Sequence, residues 1–351
     1  MEFKTYYIKN DVFKQDREAV NIVVKGAAPI AQDVNLLDLL RDNKKDIVEK
    51  RFGHISSFNF SRDVFNTAKW SDLCKIARGL FMDTEDGTIV ARGFDKFFNY
   101  EERDFNRASW LQNNLAFPVA AYSKYNGFLG ILSFDKKEKK FLFCTKSVLD
   151  GEYSQYFKDI FYRAHKDESQ DYFQALASHL VETNTCLVFE VVDPKHDPHI
   201  VEYKDEKVVL LDQIYLEKNF RHVSYEELQV TGELFKFDVK AKLNKTFDTW
   251  AELFDFIKSM ESYKDTEGIE GYVFEDSNGY HFKLKGEWYL FWKKMRHYKQ
   301  QLAAGHLFST SGLTTPLAND VYGFMKKLGR DELERMSIID VRNAFLKETS
   351  C

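Results

Sequence analysis

The sequence predicts an α+β fold: mostly antiparallel sheets that carry helices, followed by a small helical region at the C-terminal end. Three observations predict it. Short runs of alternating apolar and polar residues are separated by turn-forming clusters, as in antiparallel strands. Aromatic and aliphatic residues recur at helical spacing over residues 151–183 and 249–263. After Trp288 the text is helical to its end.

The elements follow in order. The first 50 residues hold a strand-like run, Val20–Val24, and a helix expected from Asn35 to Lys50. Residues 78–100 read as a hairpin turning at Glu85-Asp86-Gly87. Residues 119–147 read as a second hairpin around the charged tip Lys136–Lys140. That places Lys146 on the strand expected to pair with the strand of Lys124. Tyr153, Phe157, Phe161, Phe173, Leu176 and Leu180 are helix-spaced. Strands are expected at Cys186–Val192, His199–Tyr203 and Val208–Ile214. An amphipathic helix is expected at Thr249–Tyr263, with Trp250, Leu253, Phe254 and Ile257 on one face. Gly271–Glu275 and Tyr280–Lys285 bracket Asp276-Ser277-Asn278-Gly279, a hairpin signal through its Asn-Gly. The expected division is a main domain over 1–290 and a small helical domain over 291–351.

Composition limits the function classes. The 351 residues are 44% hydrophobic with 5 Pro and 17 Gly, which suits a large packed core and not long linkers or low complexity. No apolar run is long enough for a membrane helix, and the polar start MEFKTYYIKND carries no secretory signal. Cys74, Cys144, Cys186 and Cys351 form no CxxC or Cys/His cluster, so neither a disulfide framework nor a zinc site is expected. A cytoplasmic protein without a membrane partner is the expectation. Net charge is −5, but residues 291–351 carry +4 and the rest −9. A basic tail on an acidic body hints at a phosphate-bearing partner.

Several residues could carry chemistry. Lys124, in Ser123-Lys124-Tyr125-Asn126-Gly127, precedes a glycine that permits a tight bend. Lysine is a nucleophile only as the free amine, which burial or nearby cations favour. Lys283 and Lys285 stand two apart on a strand and share a face. Glu190 lies in the apolar strand Leu187-Val188-Phe189-Glu190-Val191-Val192, where an acid is costly unless paired or bound to a ligand. Glu270 opens the Glu270-Gly271-Tyr272-Val273 hairpin. Taken singly, each of these also fits a solvated turn or strand face.

Their order resembles the motif series of the covalent nucleotidyltransferases, the superfamily of ATP-dependent RNA ligases, DNA ligases and mRNA capping enzymes. Lys124-Tyr125-Asn126-Gly127 matches the nucleophile motif and Phe189-Glu190-Val191 the middle acidic motif. Glu270-Gly271-Tyr272-Val273 matches the fourth motif and Lys283-Leu284-Lys285 the fifth. Ala77-Arg78-Gly79-Leu80-Phe81, the string Val90–Asn99, and Lys285-Gly286-Glu287-Trp288-Tyr289 look like the bacteriophage tRNA-repair RNA ligases, relatives of the ligase domain of fungal tRNA ligases. The resemblance covers about residues 50–290.

It implies an ATP-grasp-like nucleotidyltransferase fold and three steps. Lys124 takes AMP from ATP, AMP passes to the 5′-phosphate of an RNA, and a 3′-hydroxyl displaces it. It implies Lys124, Lys283 and Lys285 as catalytic, with the last two binding phosphates and helping to keep Lys124 unprotonated. It implies Arg78, Lys96 and Lys146 on the triphosphate and Phe98 stacked on adenine. Asn126, Gly127, Glu190, Glu270 and Gly271 complete the nucleotide site. ATP with Mg²⁺ (or Mn²⁺) is the expected cofactor pair, with Glu190 and Glu270 holding ribose hydroxyls or the metal ion. Arg92 reads equally as a site residue or a surface arginine. Lys293, Lys294, Arg296 and Lys299 are expected to touch RNA phosphates. There is no Gly-x4-Gly-Lys-Ser/Thr string, so kinase or phosphatase healing of RNA ends is expected from another chain. DNA-end joining, capping-type transfer and an inactive nucleotide- or RNA-binding module are the competing readings. The helical text after Lys285, with no OB-fold extension, weighs against the first two.

Overall fold

The computed structural model describes residues 29–306, 309 and 311–349; the expected strand Val20–Val24 lies outside them. Helix α1 (Leu36–Asp42) starts at Asn35, whose side chain accepts the N–H groups of Leu37 and Asp38. It stops seven residues in. The remainder of the expected 35–50 helix turns at residues 43–46 into β1 (Ile47–Phe52). β1, β2 (Ile55–Phe60), β3 (Leu80–Asp83) and β4 (Ile89–Arg92) form an antiparallel meander, with α2 (Arg62–Thr67) and α3 (Asp72–Ile76) between β2 and β3. The Glu85-Asp86-Gly87 turn joins β3 to β4, as expected.

After α4 (Ala108–Asn114), β5 (Ala120–Ser123), β6 (Phe128–Asp135) and β7 (Lys140–Cys144) follow. Only β6 and β7 make the expected hairpin. β5 leaves for another sheet, so Lys124 and Lys146 are not on paired strands. Helices α5 (Glu152–Ala164) and α6 (Gln170–Thr183) precede β8 (Thr185–Val192) and β9 (Lys207–Tyr215). His199–Tyr203 is an irregular segment, not a strand. Its N–H groups are partly taken by a side chain described below. After α7 (Tyr225–Phe235), β10 (Asp238–Val239) completes a five-stranded sheet ordered β10-β9-β8-β6-β7.

This sheet is apolar on both faces, as a doubly covered sheet must be. Leu132, Leu187, Phe189 and Leu210 meet Phe157, Phe161, Leu176 and Leu180 of α5 and α6. Ile131, Val188 and Cys186 meet Ile55, Phe81 and Ala91 of the meander on the other side. Strand alternation puts Glu190 on that second face, between the two sheets.

Helix α8 (Trp250–Ser259) buries Leu253 and Ile257 against a third sheet, β12-β11-β5, built with β11 (Gly271–Glu275) and β12 (His281–Lys285). Helices α9 (Glu287–Ala303), α10 (Pro316–Leu328), α11 (Arg330–Arg335) and α12 (Ile338–Thr349) close the chain around Trp292, Met295, Val321 and Val341. Because α9 begins at Glu287, the expected border at 290/291 falls inside a helix. Ile200 and Val201 of the irregular segment belong to the same apolar cluster and tie the terminal helices to the main body.

The core reading is tested at Phe161, fully buried between α5 and the five-stranded sheet. Phe161→Ala is expected to lower the urea unfolding free energy by about 3–5 kcal/mol with the denaturant slope unchanged. A loss below about 1 kcal/mol would mean that this helix layer does not pack as described.

Candidate active site

Three adjacent strand positions build the centre. Gly271 faces Lys285 across the β11–β12 ladder, and the Lys124 N–H just past β5 donates to the Gly271 carbonyl at 2.9 Å. Lys124 and Lys285 thus flank the start of β11 from either side. Their ammonium groups converge on one carboxylate oxygen, Glu270 Oε1, at 3.1 and 2.8 Å. Glu270 is 3% exposed. Burial alone would raise its pKa, but the charges of Lys124 and Lys285 outweigh that and hold it below the usual carboxylate range.

Asn126 locks the other oxygen. Its Nδ2 donates to Glu270 Oε2 at 2.9 Å, and its Oδ1 accepts the N–H groups of Ile200 and Val201 at 3.1 and 3.0 Å. Its own N–H donates to the Tyr203 hydroxyl at 3.0 Å. The side chain expected to hold the nucleotide is therefore spent on the protein, where it positions Glu270 and the 200–203 segment. Arg342 of α12 supports that segment by donating to the Ile200 carbonyl at 2.7 Å.

The two glycines serve a related purpose. A Cβ on Gly127 would stand 2.1 Å from the Val191 carbonyl oxygen, and one on Gly271 would stand 2.0 Å from that of Leu284. Gly271 also has φ +144°, closed to ordinary L residues. Both glycines are required for close approach of protein backbone. The sequence had suggested approach of a nucleotide. The bend at Gly127 also lets its N–H donate to Glu190 Oε1 at 2.9 Å, which brings the face between the two larger sheets up to Lys124. Burial raises the Glu190 pKa, against the charge of Lys124 and with that of Glu270.

Around this centre lies a positive wall. Burial first, and then the charges of Lys96, Arg78, Lys124 and Lys285, push the Lys283 amine down to about 6. Lys96 and Lys146 are each pushed down to about 8, chiefly by burial, with Arg78 adding to both. The expected triphosphate residues Arg78, Lys96 and Lys146 are thus gathered with Lys283. The expected crowding of positive charge is present, and Lys283 is the amine on which it is visible.

Phe98 departs from expectation. Its ring is 2% exposed, with Lys96 Nζ 3.8 Å from its centroid and Trp70 and Phe105 set edge-on at 5.3 and 5.4 Å. No ring face is open to a base; Phe98 is the apolar floor under Lys96. Arg92 is 1% exposed and bonds the Glu217 and Lys218 carbonyls and Asp95, so it is structural.

The basic cluster on α9 divides. Lys293 and Arg296, one turn apart, continue the positive strip from Lys285. Lys294 instead bonds the Gly312 carbonyl, and Lys299 faces Asp340 and Glu334. Sequence reading also missed Tyr203, Arg342 and Tyr289, whose ring lies 4.5 Å beneath Lys285 Nζ. Tyr289 stood within a string already singled out; the other two carried no local signal.

The two glutamates differ as possible metal ligands. Glu270 has both oxygens taken by Lys124, Lys285 and Asn126, so it does not fit a divalent cation in this arrangement. Glu190 commits one oxygen to the Gly127 N–H and has another to offer. A Mg²⁺ ion, which binds through one or two carboxylates plus phosphate oxygens and water, fits there.

Comparison with known proteins places this geometry. Residues 76–289 match the family model described as RNA ligase. A tRNA ligase of Candida albicans is 26% identical over 374 residues, covering 91% of this chain. The chain spans 44% of that relative's length. Among solved structures, a putative ATP-dependent DNA ligase from Aquifex aeolicus aligns with TM-score 0.52 at 16% identity, over 85% of this chain and 76% of its own. An archaeal ATP-dependent RNA ligase aligns with TM-score 0.51 at 12% identity, over 90% of this chain and 78% of its own. These two likenesses concern the fold.

Burial of Lys283 has a measurable consequence. Its folded pKa of about 6 lies below the ordinary lysine value, so between the two the unfolded chain binds the extra proton and stability rises with pH. Lys283→Met removes that penalty. It is expected to stabilise the protein by about 2–4 kcal/mol at pH 7, shrinking toward zero near pH 10. Urea unfolding at several pH values reads it; a destabilised variant at pH 7 would contradict the buried, cation-crowded environment.

Proposed function

The chain belongs to the RNA ligase family, and on that premise we propose that it seals RNA ends with ATP through Lys124. The observation that carries the proposal is the convergence of the Lys124 and Lys285 ammonium groups on buried Glu270, beside a wall of further cations. Such a wall in an acidic chain suits a ligand with several negative charges.

In the first step Lys124 Nζ, free of its proton, attacks the α-phosphorus of ATP. An N–P bond forms, the bond to the bridging α–β oxygen breaks, and pyrophosphate leaves with that electron pair. In the second step a 5′-phosphate oxygen of RNA attacks the same phosphorus and releases the lysine. In the third a 3′-hydroxyl attacks the activated 5′-phosphate, loses its proton and expels AMP.

Lys283, Lys96, Arg78 and Lys146 bind and neutralise the triphosphate, which restores the proton that Lys283 lacks at neutral pH. Lys285 is held by Glu270 over Tyr289 and is aimed at the same charge. Glu270 and Asn126 fix the direction of Lys124. Glu190 would hold Mg²⁺ (or Mn²⁺), whose charge would offset that developing on the phosphates. Fixed charges of this kind account for most of the catalysis in phosphoryl transfer.

The Candida albicans relative is a tRNA ligase, which supports RNA as the substrate class; 5′-phosphate and 3′-hydroxyl ends, joined in tRNA repair, are part of the proposal. Lys293 and Arg296, which continue the positive strip from Lys285, would meet its backbone; Lys294 and Lys299 serve the helical region. End-healing kinase and phosphatase activity would come from elsewhere. Among the described residues, β12 is followed by helices. Among the same residues no helix is long and apolar enough to cross a membrane.

Incubation with α-labelled ATP and Mg²⁺, without RNA, should give an acid-labile labelled protein. Lys124→Ala should abolish the label, and Lys285→Met should slow it by about a hundredfold or more. Labelled GTP should label poorly. Wild-type protein that takes no label at any pH between 6 and 9 would favour a binding module and end the proposal.

A further inference from the structure

A second cluster of ligating side chains lies at the end of the three-stranded sheet away from Lys124. Glu275 ends β11 and faces His281, which opens β12. His222 comes from the segment that returns alongside β9, bridging to Ile214. His222 Nε2 lies 3.3 Å from Glu275 Oε1, and His281 Nε2 lies 3.6 Å from Glu275 Oε2. One ligand atom from each of the three residues can be chosen so that all lie within 4.8 Å of one another. Both histidines are about 7% exposed, and both Nε2 atoms are buried without a hydrogen-bond partner.

From these positions we propose that His222, Glu275 and His281 bind a zinc ion, with a water molecule as fourth ligand. Two imidazole nitrogens and a carboxylate oxygen are a zinc donor set, and three protein ligands leave one position open. Zinc–ligand bonds of about 2.0–2.1 Å in a tetrahedron separate neighbouring ligand atoms by about 3.3 Å. His222 Nε2 stands at that distance from Glu275 Oε1, and His281 Nε2 stands 3.6 Å from the other oxygen, Oε2.

The outer contacts fit as well. Asp212, fully buried, lies 3.3 Å from His222 Nδ1. His222 Nδ1 closes no hydrogen bond there, but the negative charge of Asp212 favours the proton on that nitrogen and leaves the Nε2 lone pair for a metal. Lys240 Nζ is the other charged group at the cluster. It is 3.3 Å from Asp212 Oδ2 and 4.0 Å from Glu275 Oε2, and so offsets the Asp212 charge. Phe220 packs on both histidine rings, at centroid distances of 5.5 and 6.3 Å, and keeps the cluster dry. The cysteine pattern gave no expectation of zinc; this site uses no cysteine and draws its ligands from His222, Glu275 and His281.

The position gives the ion a structural role. It joins β11, which starts just after Glu270, and β12, which carries Lys283 and Lys285, to the edge of the five-stranded sheet that carries Glu190. It would hold the two halves of the phosphate-binding face at fixed separation. The inference does not depend on which reaction the site performs.

The test uses the full chain, expressed in zinc-supplemented medium and purified without a polyhistidine tag or chelator. Elemental analysis should find close to one zinc per chain, and prolonged chelation should lower Tm. Cobalt(II) added to the stripped protein should give the visible d–d bands of tetrahedral nitrogen and oxygen ligation. His222→Gln and His281→Gln should each cut zinc content at least tenfold while keeping the far-UV circular dichroism spectrum. A folded wild-type protein that takes up neither zinc nor cobalt would overturn the site, and so would equal zinc content in the His222→Gln/His281→Gln double variant. If the variants fail to fold, the cobalt spectrum of the wild type decides.

Discussion

One buried carboxylate organises the centre of this molecule. Glu270 is shut from water and would be untenable there without partners. It has three: Lys124, Lys285 and Asn126. Lys124 and Asn126 come from one segment and Lys285 from another, so the cost of leaving Glu270 unpaired enforces their meeting. Asn126 in turn fixes the 200–203 segment, on which the terminal helices rest through Ile200, Val201 and Arg342. The layer that looks most separate in sequence is thus wired to Lys124 through the Asn126 amide.

The surrounding cations work against the fold. Arg78, Lys96, Lys146 and Lys283 repel one another in a partly buried setting, and three of the amines are pushed toward neutrality. Sites of this kind give up stability in the free protein and regain it when an anion arrives. The same crowding explains why the floor of the wall is aromatic: Phe97 lies beneath Lys283 and Phe98 beneath Lys96, where a ring face tolerates a cation better than an aliphatic side chain would.

Much of this was legible in the sequence because it is local. The Asn-Gly turn, the two-residue spacing of Lys283 and Lys285, and the lone acid at Glu190 each fix a strand or a face by short-range rules. What was not legible depends on partners remote in sequence. Nothing near Ala120–Ser123 says that this strand pairs with β11 and not with β7, 20 residues away. The 35–50 helix was overread because the same charged text suits a half-exposed strand such as β1, and its pairing with β2 decides. Phe98 was placed on a base by motif alone, whereas Trp70 and Phe105 had already enclosed it. Lys293, Lys294, Arg296 and Lys299 formed one cluster as letters and two groups on a helix, since adjacent residues point apart by about 100°.

The account stands or falls on the coupling between Glu270 and the lysines it gathers. The direct measurement is a double-mutant cycle in urea unfolding with Glu270→Gln, Lys285→Met and both together. We expect a coupling energy of about 1.5 kcal/mol or more, the scale for a desolvated, hydrogen-bonded charge pair. Additivity within about 0.5 kcal/mol would show that the two side chains do not share a buried contact, and the proposed arrangement around Lys124 would have to be abandoned.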